Sequence, residues 1–137
     1  MFKLIKILNT GVNVPEPELL PSEINLALNA GACVVYNSNS NKIYSGDPAE
    51  APTHILIKEL KHGDSFALCY RISPDMIFEV PLIGSPANVH AGMSVEFIIE
   101  DGHGIYAISD NDSGPVTIYS LEGATKSGDK VLITFNV

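Results

Sequence analysis

Residues 65–80 read SFALCYRISPDMIFEV. Two alternating runs meet there across the turn residues ISPD (72–75). In the first run Phe66, Leu68, Tyr70 and Ile72 share one side, and Ala67, Cys69 and Arg71 share the other. In the second, Met76, Phe78 and Val80 oppose Ile77 and Glu79. A period of two puts successive side chains on opposite faces of an extended chain, and Phe, Tyr, Ile and Val suit a pleated, half-buried surface. The stretch therefore predicts two strands joined by a turn.

The same alternation spreads outward. SVEFII (94–99) sets Val95, Phe97 and Ile99 against Ser94, Glu96 and Ile98, and KVLITF (130–135) sets Val131, Ile133 and Phe135 against Leu132 and Thr134. THILIK (53–58), GIYAIS (104–109) and PVTIYS (115–120) repeat it more weakly. Clusters of Gly, Pro, Asn and Asp separate the runs and supply chain reversals. Short strands at roughly 8–12-residue spacing indicate a sandwich or barrel. No window has a convincing helical period. PSEINLALNA (21–30) comes nearest, but Ile24, Leu26 and Leu28 alternate, so it too is expected to be a strand. The fold class is all-β: a small β-barrel or β-tulip-like sandwich with an extended, proline-containing N-terminal arm.

One short phrase recurs at the strand entries. AGACVVY (30–36), HGDSFALCY (62–70), AGMSVEF (91–97) and SGDKVLITF (127–135) each place a glycine just ahead of an apolar run. The glycines, Gly31, Gly63, Gly92 and Gly128, lie 32, 29 and 36 residues apart, too irregularly for a solenoid. Glycine takes positive φ without steric cost, so each is expected to form a tight turn feeding a strand, with Asp64 and Asp129 capping the turn's N–H groups. A phosphate-binding glycine loop would feed a helix instead. Replacing Gly128 is thus expected to harm folding, not a chemical step.

GVNVPEPELLPS (11–22) holds three prolines in twelve residues. Proline lacks a ladder donor and holds its predecessor extended, so this segment reads as a connector between an apolar strand at 2–8 and the body. Two readings of residues 2–8 stand: an edge strand of the same barrel, or an arm that adds to another chain's sheet edge. The expected organisation is an arm and linker at 1–22 and a barrel body at 23–137.

Composition narrows the function classes. Eight basic residues against sixteen acidic leave a formal net charge of −8, and Arg71 is the only arginine, which does not suit phosphate neutralisation in nucleic-acid binding. Lys3 and Lys6 interrupt the N-terminal apolar stretch, leaving no run long enough for a signal sequence or a membrane span. Cys33 and Cys69 fall in strand-like runs and read as small buried hydrophobes. His54, His62, His90 and His103 show no metal-ligand spacing; His62, His90 and His103 read as solvated turn residues and His54 as outward-facing. There is no GxSxG elbow. SDNDSG (109–114) lacks the ligand spacing of a calcium loop. NDS (111–113) reads as a chance sequon. No catalytic, metal or cofactor-binding residue is assigned, and a non-enzyme is expected.

Several longer stretches in order carry a resemblance. An LNTG…VP…LP opening precedes NAGACVVYNSNSNKIYSG, then APTHILIKEL, GDSFALCYRISPDMIFEVPL, VHAGMSVEFIIEDGHGIYAI and the closing GATKSGDKVLITF. This succession, over nearly the whole chain, resembles the small capsid decoration proteins (head-stabilising or cementing proteins) of tailed bacteriophages and prophages. The resemblance implies a protein made in the bacterial host cytoplasm and carried on the outer capsid surface of the virion. There it would bind the major capsid protein as a homotrimer and resist the outward pressure of packaged DNA, without nucleic-acid or membrane contact. By position and composition, Phe2, Leu4, Ile5, Ile7, Val12, Val14, Leu19 and Leu20 would be the capsid-contacting residues. The alternative is a small β-barrel module that binds a ligand or another protein, expected to show Tyr36, Tyr44, Tyr106 and Tyr119 converging on one pocket.

Overall fold

The computed structural model describes residues 1–7, 16–25, 27–46, 50–100 and 104–136. Eleven strands form among them: β1 (Lys3–Ile7), β2 (Glu18–Pro21), β3 (Cys33–Asn37), β4 (Lys42–Tyr44), β5 (His54–Leu56), β6 (Phe66–Arg71), β7 (Met76–Ile83), β8 (Ser94–Glu100), β9 (Gly104–Asp112), β10 (Val116–Ser120) and β11 (Lys130–Phe135). The helical content of the described residues is a single three-residue turn, Pro86–Asn88. The chain is all-β, with a closed five-stranded barrel and further strands outside it.

Strands β7, β11, β10, β8 and β9 make the barrel. Four of its five junctions are antiparallel, and β7 closes onto β9 in parallel at Leu82↔Ile108 and Ile83↔Ser109. Most inward residues are those the alternation named: Val131, Ile133 and Phe135 on β11, Val95 and Phe97 on β8, Phe78 and Val80 on β7. Ile99, expected beside Val95 and Phe97, is instead exposed, because the register of β8 shifts between Ile98 and Ile99. A closed sheet this small must curve sharply, and register shifts in β8–β9 and β10–β11 supply local bends. Phe78, Phe97 and Phe135 fill the centre; Phe78 and Phe135 meet edge to face at 5.2 Å.

A second sheet branches from the barrel where Cys33 of β3 pairs with Ile105 of β9. It runs β3–β5–β6–β2, and β4 forms a hairpin with β3. This sheet has core on both faces. Cys33 and Ile55 face the barrel core, while Val34, Leu56 and Ala67 join Ile24, Leu28, Ile43 and Leu60 in a second cluster. Double coverage explains why all three residues of β5 are buried. Residues 21–30 differ from the expected strand beyond Pro21. Among the described residues of this stretch no further ladder forms: isolated bridges join Ser22 to Ile43 and Leu28 to Leu60, and Ser22 N–H donates to Ser65 O. Ile24 and Leu28 are nonetheless buried, so the alternation marked side chains that pack without a ladder; Leu26 lies outside the described residues.

The recurring phrase is one structure used four times. In each copy the residue after the glycine donates its N–H to the carbonyl three residues back: Ala32 to Asn29, Asp64 to Lys61, Met93 to His90, Asp129 to Lys126. The glycines have φ of 86°, 87°, 91° and 93°, whereas no preceding residue has positive φ, so all four are type II turns. The aspartates cap them as expected. Asp64 Oδ2 accepts the Lys61 N–H at 2.8 Å, and Asp129 Oδ2 accepts those of Thr125 and Lys126 at 3.0 and 3.2 Å. The two backbone bonds hold the exposed Asp129 carboxyl below its ordinary range.

The segment 1–22 contributes two strands to the body. β1 pairs antiparallel with β7, with Lys3 opposite Glu79 and Ile7 opposite Met76. Phe2 is 3% exposed, and its ring lies 5.4 Å from Phe135 and 6.0 Å from Phe97. β2 pairs antiparallel with β6. Of the two readings of the N-terminal strand, this fold contains the edge strand within the same chain. β2 crosses into residue 21 and Ser22 bonds on to Ser65, so the pairing runs up to residue 22, and residues 8–15, with Pro15, lie outside the described residues.

Candidate functional site

The eight residues expected to touch a capsid fall into three groups. Phe2 is inside the barrel core, and Leu4 and Ile7 pack against it. Leu20 packs against the second cluster. These four face inward, which takes Phe2 in particular out of any contact surface; in β1 the bulge at Ile5 lets both Leu4 and Ile7 face the core while Ile5 points out. Val12 and Val14 lie outside the described residues. Ile5 and Leu19 alone point out, on strands that pair with β7 and β6 respectively.

Leu19, 65% exposed, sits opposite Leu68, and Pro21 sits opposite Phe66, which is 55% exposed. Directly paired residues share a face, so Leu19, Pro21, Phe66 and Leu68 form one apolar patch. Leu19, Phe66 and Leu68 line a shallow surface pocket of about 320 Å³ with Lys58, Asp64 and Ser65. Further along the same face of β6, Tyr70 and Ile72 meet the barrel core, while Phe66 and Leu68 lie outside it. Alternation named this face correctly but could not show that half of it overhangs the barrel. The opposite face, Ala67 and Cys69, is the buried one.

The sheet edges are poor sites for strand addition. Ser22 donates to Ser65 O, so with the β2–β6 register the even-numbered residues of β2 bond inward and Leu19 and Pro21 turn their backbone outward. Proline has no N–H, so Leu19 offers the only donor along this edge of β2. β1 carries a bulge at Ile5 between Leu4 and Lys6 and lysines on either side of it. Bulges, lysines and prolines are the usual ways to blunt an edge. The side-chain face of β2–β6 is more open to contact than these edges are to strand addition, the second of the two readings of residues 2–8.

His54 is buried, 3% exposed, not outward-facing as its place in the sequence suggested. The register sets His54 opposite Arg71 and Glu18 opposite Cys69, so Glu18, His54, Cys69 and Arg71 share one face of the second sheet. Glu18 Oε2 lies 2.9 Å from His54 Nε2, and Arg71 Nη2 donates to Glu18 Oε1 at 3.4 Å. Thr53 Oγ1 is 2.8 Å from His54 Nδ1 and accepts the Tyr36 N–H at 2.7 Å. One neutral tautomer satisfies every atom: Nε2–H donates to Glu18, and Nδ1 accepts from the Thr53 hydroxyl. Burial holds the imidazole below its ordinary pKa, against the opposing pull of Glu18. Hydroxyl, imidazole and carboxylate stand in line, yet both ring nitrogens are occupied and the ring is covered. The arrangement fixes β2 to β5 and β6 and leaves no free base for a substrate.

The remaining candidates are structural. Cys33 and Cys69 are buried, and desolvation raises both thiols, Cys69 to about 12, which makes them inert in the folded state. His62 and His90 are exposed in turns, and His103 lies outside the described residues. Asp110 and Asp112 of the SDNDSG stretch lie on β9, where the Asp110 carboxylate accepts from Ser85 N–H and Asn88 Nδ2 and thereby holds the 85–88 turn. Among the described residues no group of three His, Cys, Asp or Glu side chains could hold a metal ion. Tyr36 lines a surface pocket with Pro52, Thr53, His54, Arg71 and Ile72, and Tyr44, Tyr106 and Tyr119 do not join it there. No family model matches the sequence, and no curated protein matches it.

Proposed function

We propose that this protein is a non-enzymatic structural component that binds the outer surface of a protein shell, as its resemblance to phage capsid decoration proteins implies. The observation that carries the reading is the apolar patch Leu19–Pro21–Phe66–Leu68, held outside the barrel on a strand pair whose opposite face carries the buried Ala67 and Cys69. A net charge of −8 suits the outside of a shell and not contact with DNA phosphates inside it. Many copies of modest individual affinity stabilise a lattice through multivalency, so a small patch is sufficient.

The test is co-sedimentation with shells assembled from a tailed-phage major capsid protein, using the parent chain and a Leu19→Asp/Phe66→Asp variant. Each buried apolar side chain is worth about 2 kcal/mol, roughly thirtyfold in affinity. The parent should decorate the shells and the variant should not, with equal thermal stability. A parent that leaves such shells bare overturns the function; a variant that decorates as well as the parent overturns the assignment of the face.

A further inference from the structure

We propose that the Thr53–His54–Glu18–Arg71 chain of hydrogen bonds is a pH-sensitive latch that holds strand β2 against β6 at neutral pH and loosens it on acidification. The inference concerns how β2 is fastened and holds whatever the protein binds. β2 has only four residues, and it joins the sheet through β6 alone plus the Ser22 bridge to β4. Its one charged side chain is Glu18, which is partly exposed and bonds to His54 and Arg71. The fastening thus depends on the protonation state of a buried ring on the neighbouring strand.

The groups facing His54 define the direction. β2 contributes the Glu18 carboxylate, β6 contributes the exposed Arg71 guanidinium and the neutral Cys69 thiol, and β3 contributes the Tyr36 ring, centred 6.2 Å away. A proton added at Nδ1 points at the Thr53 hydroxyl, which already donates there, so the hydroxyl must turn away. The new charge lies on a ring that is only 3% exposed, beside a partly exposed Glu18, and Arg71 competes for the same carboxylate. Burial accordingly lowers the basicity of His54 while β2 is in place. Once β2 lifts, the ring regains water and takes up a proton more readily. Linkage then requires acid to favour the lifted state as pH falls below the ordinary histidine value of 6.5.

The chain carries its own reporters. Cys69 pairs with Glu18, its Sγ lies 3.7 Å from Glu18 O, and it is fully covered. Cys33, equally covered, lies in the barrel core and reports global unfolding. Both thiols are labelled with a dipyridyl disulfide between pH 7.5 and 5.0, with rates normalised to free cysteine at each pH and sites resolved by mass spectrometry. Cys69 should label severalfold faster at the acidic end while Cys33 stays protected. His54→Gln should flatten that dependence. Glu18→Gln, at a partly exposed position, should raise Cys69 labelling already at pH 7.5. A Cys69 rate independent of pH, equal labelling of both thiols, or an unchanged pH profile in either variant would overturn the latch. The parent-chain comparison of the two thiols decides even if a variant fails to fold.

Discussion

Truncating Phe2 to alanine tests whether the N-terminus belongs to the barrel. The ring is almost wholly buried between Phe97 and Phe135. Removing it forfeits about 1.5–3 kcal/mol of transfer free energy. It also removes two aromatic contacts, each worth about 0.5–1.5 kcal/mol. A partly collapsed cavity remains, and measured Phe→Ala changes in cores total about 3–5 kcal/mol. The backbone bond from Phe2 N–H to Gly31 O survives, so the loss is one of side-chain packing. Ile5→Ala, on the outward face of the same strand, should change stability by less than about 0.5 kcal/mol. Urea unfolding followed by circular dichroism reads both variants. The midpoint of Phe2→Ala should fall while m stays that of the parent. For a domain of this size the melting temperature should drop by roughly 10 °C. Deleting residues 1–7 should likewise destabilise or unfold the body, contrary to the expectation for a detachable arm. If Phe2→Ala folds with a loss no larger than Ile5→Ala, the ring is not in the core and the arm reading returns.

The remaining predictions concern two turns and two pH ranges. Gly128→Val places a branched residue at φ 93° with open space around its Cβ, so the cost should be the backbone term alone, about 1–2 kcal/mol; unchanged stability would refute the turn assignment. Gly31→Ala should cost more than that, because its Cβ would meet Phe2 O at 2.7 Å and Met1 Cβ at 3.0 Å; equal losses at the two sites would show that β1 does not pack on this turn. Thermal stability should decline as pH falls below about 6.5, since the unfolded chain binds a proton at His54 more readily than the folded one; this decline should vanish in His54→Gln. A separate decline should begin below about pH 3.8, where Asp110 and Asp129, both held low by backbone N–H bonds, must be protonated. A flat profile between pH 7 and 5 would contradict the buried neutral histidine.

The barrel was legible because its strands have one wet face. In β11 and β8 the inward Val131, Ile133, Phe135, Val95 and Phe97 are all apolar, while the outward positions include Lys130, Thr134, Ser94 and Glu96, so period-two alternation pointed to most of the residues that pack. The type II turns were legible for a similarly local reason. Positive φ is a property of one residue and its neighbours, and glycine adopts it at least cost. Local chemistry also anticipated the caps by Asp64 and Asp129 and the burial of both cysteines.

The candidate site was less legible, because it depends on which strands lie beside one another. Glu18 and His54 are 36 residues apart, and nothing in EPELL or PTHIL reveals that β2 and β5 flank β6. His54 was expected to be outward because alternation assumes one solvated face, but the second cluster covers that face of β5. For the same reason Phe66 and Leu68 resemble core residues in sequence while lying beyond the barrel's end of the sheet, and the smaller Ala67 and Cys69 take the buried side. Local sequence determined strand, turn and which side chains share a face, since those follow from backbone geometry within a few residues. The tertiary structure alone decided which of two apolar faces meets the core, which polar groups are brought together, and that Phe2 seals the barrel instead of reaching outward. Those outcomes depend on long-range pairing that no short stretch encodes.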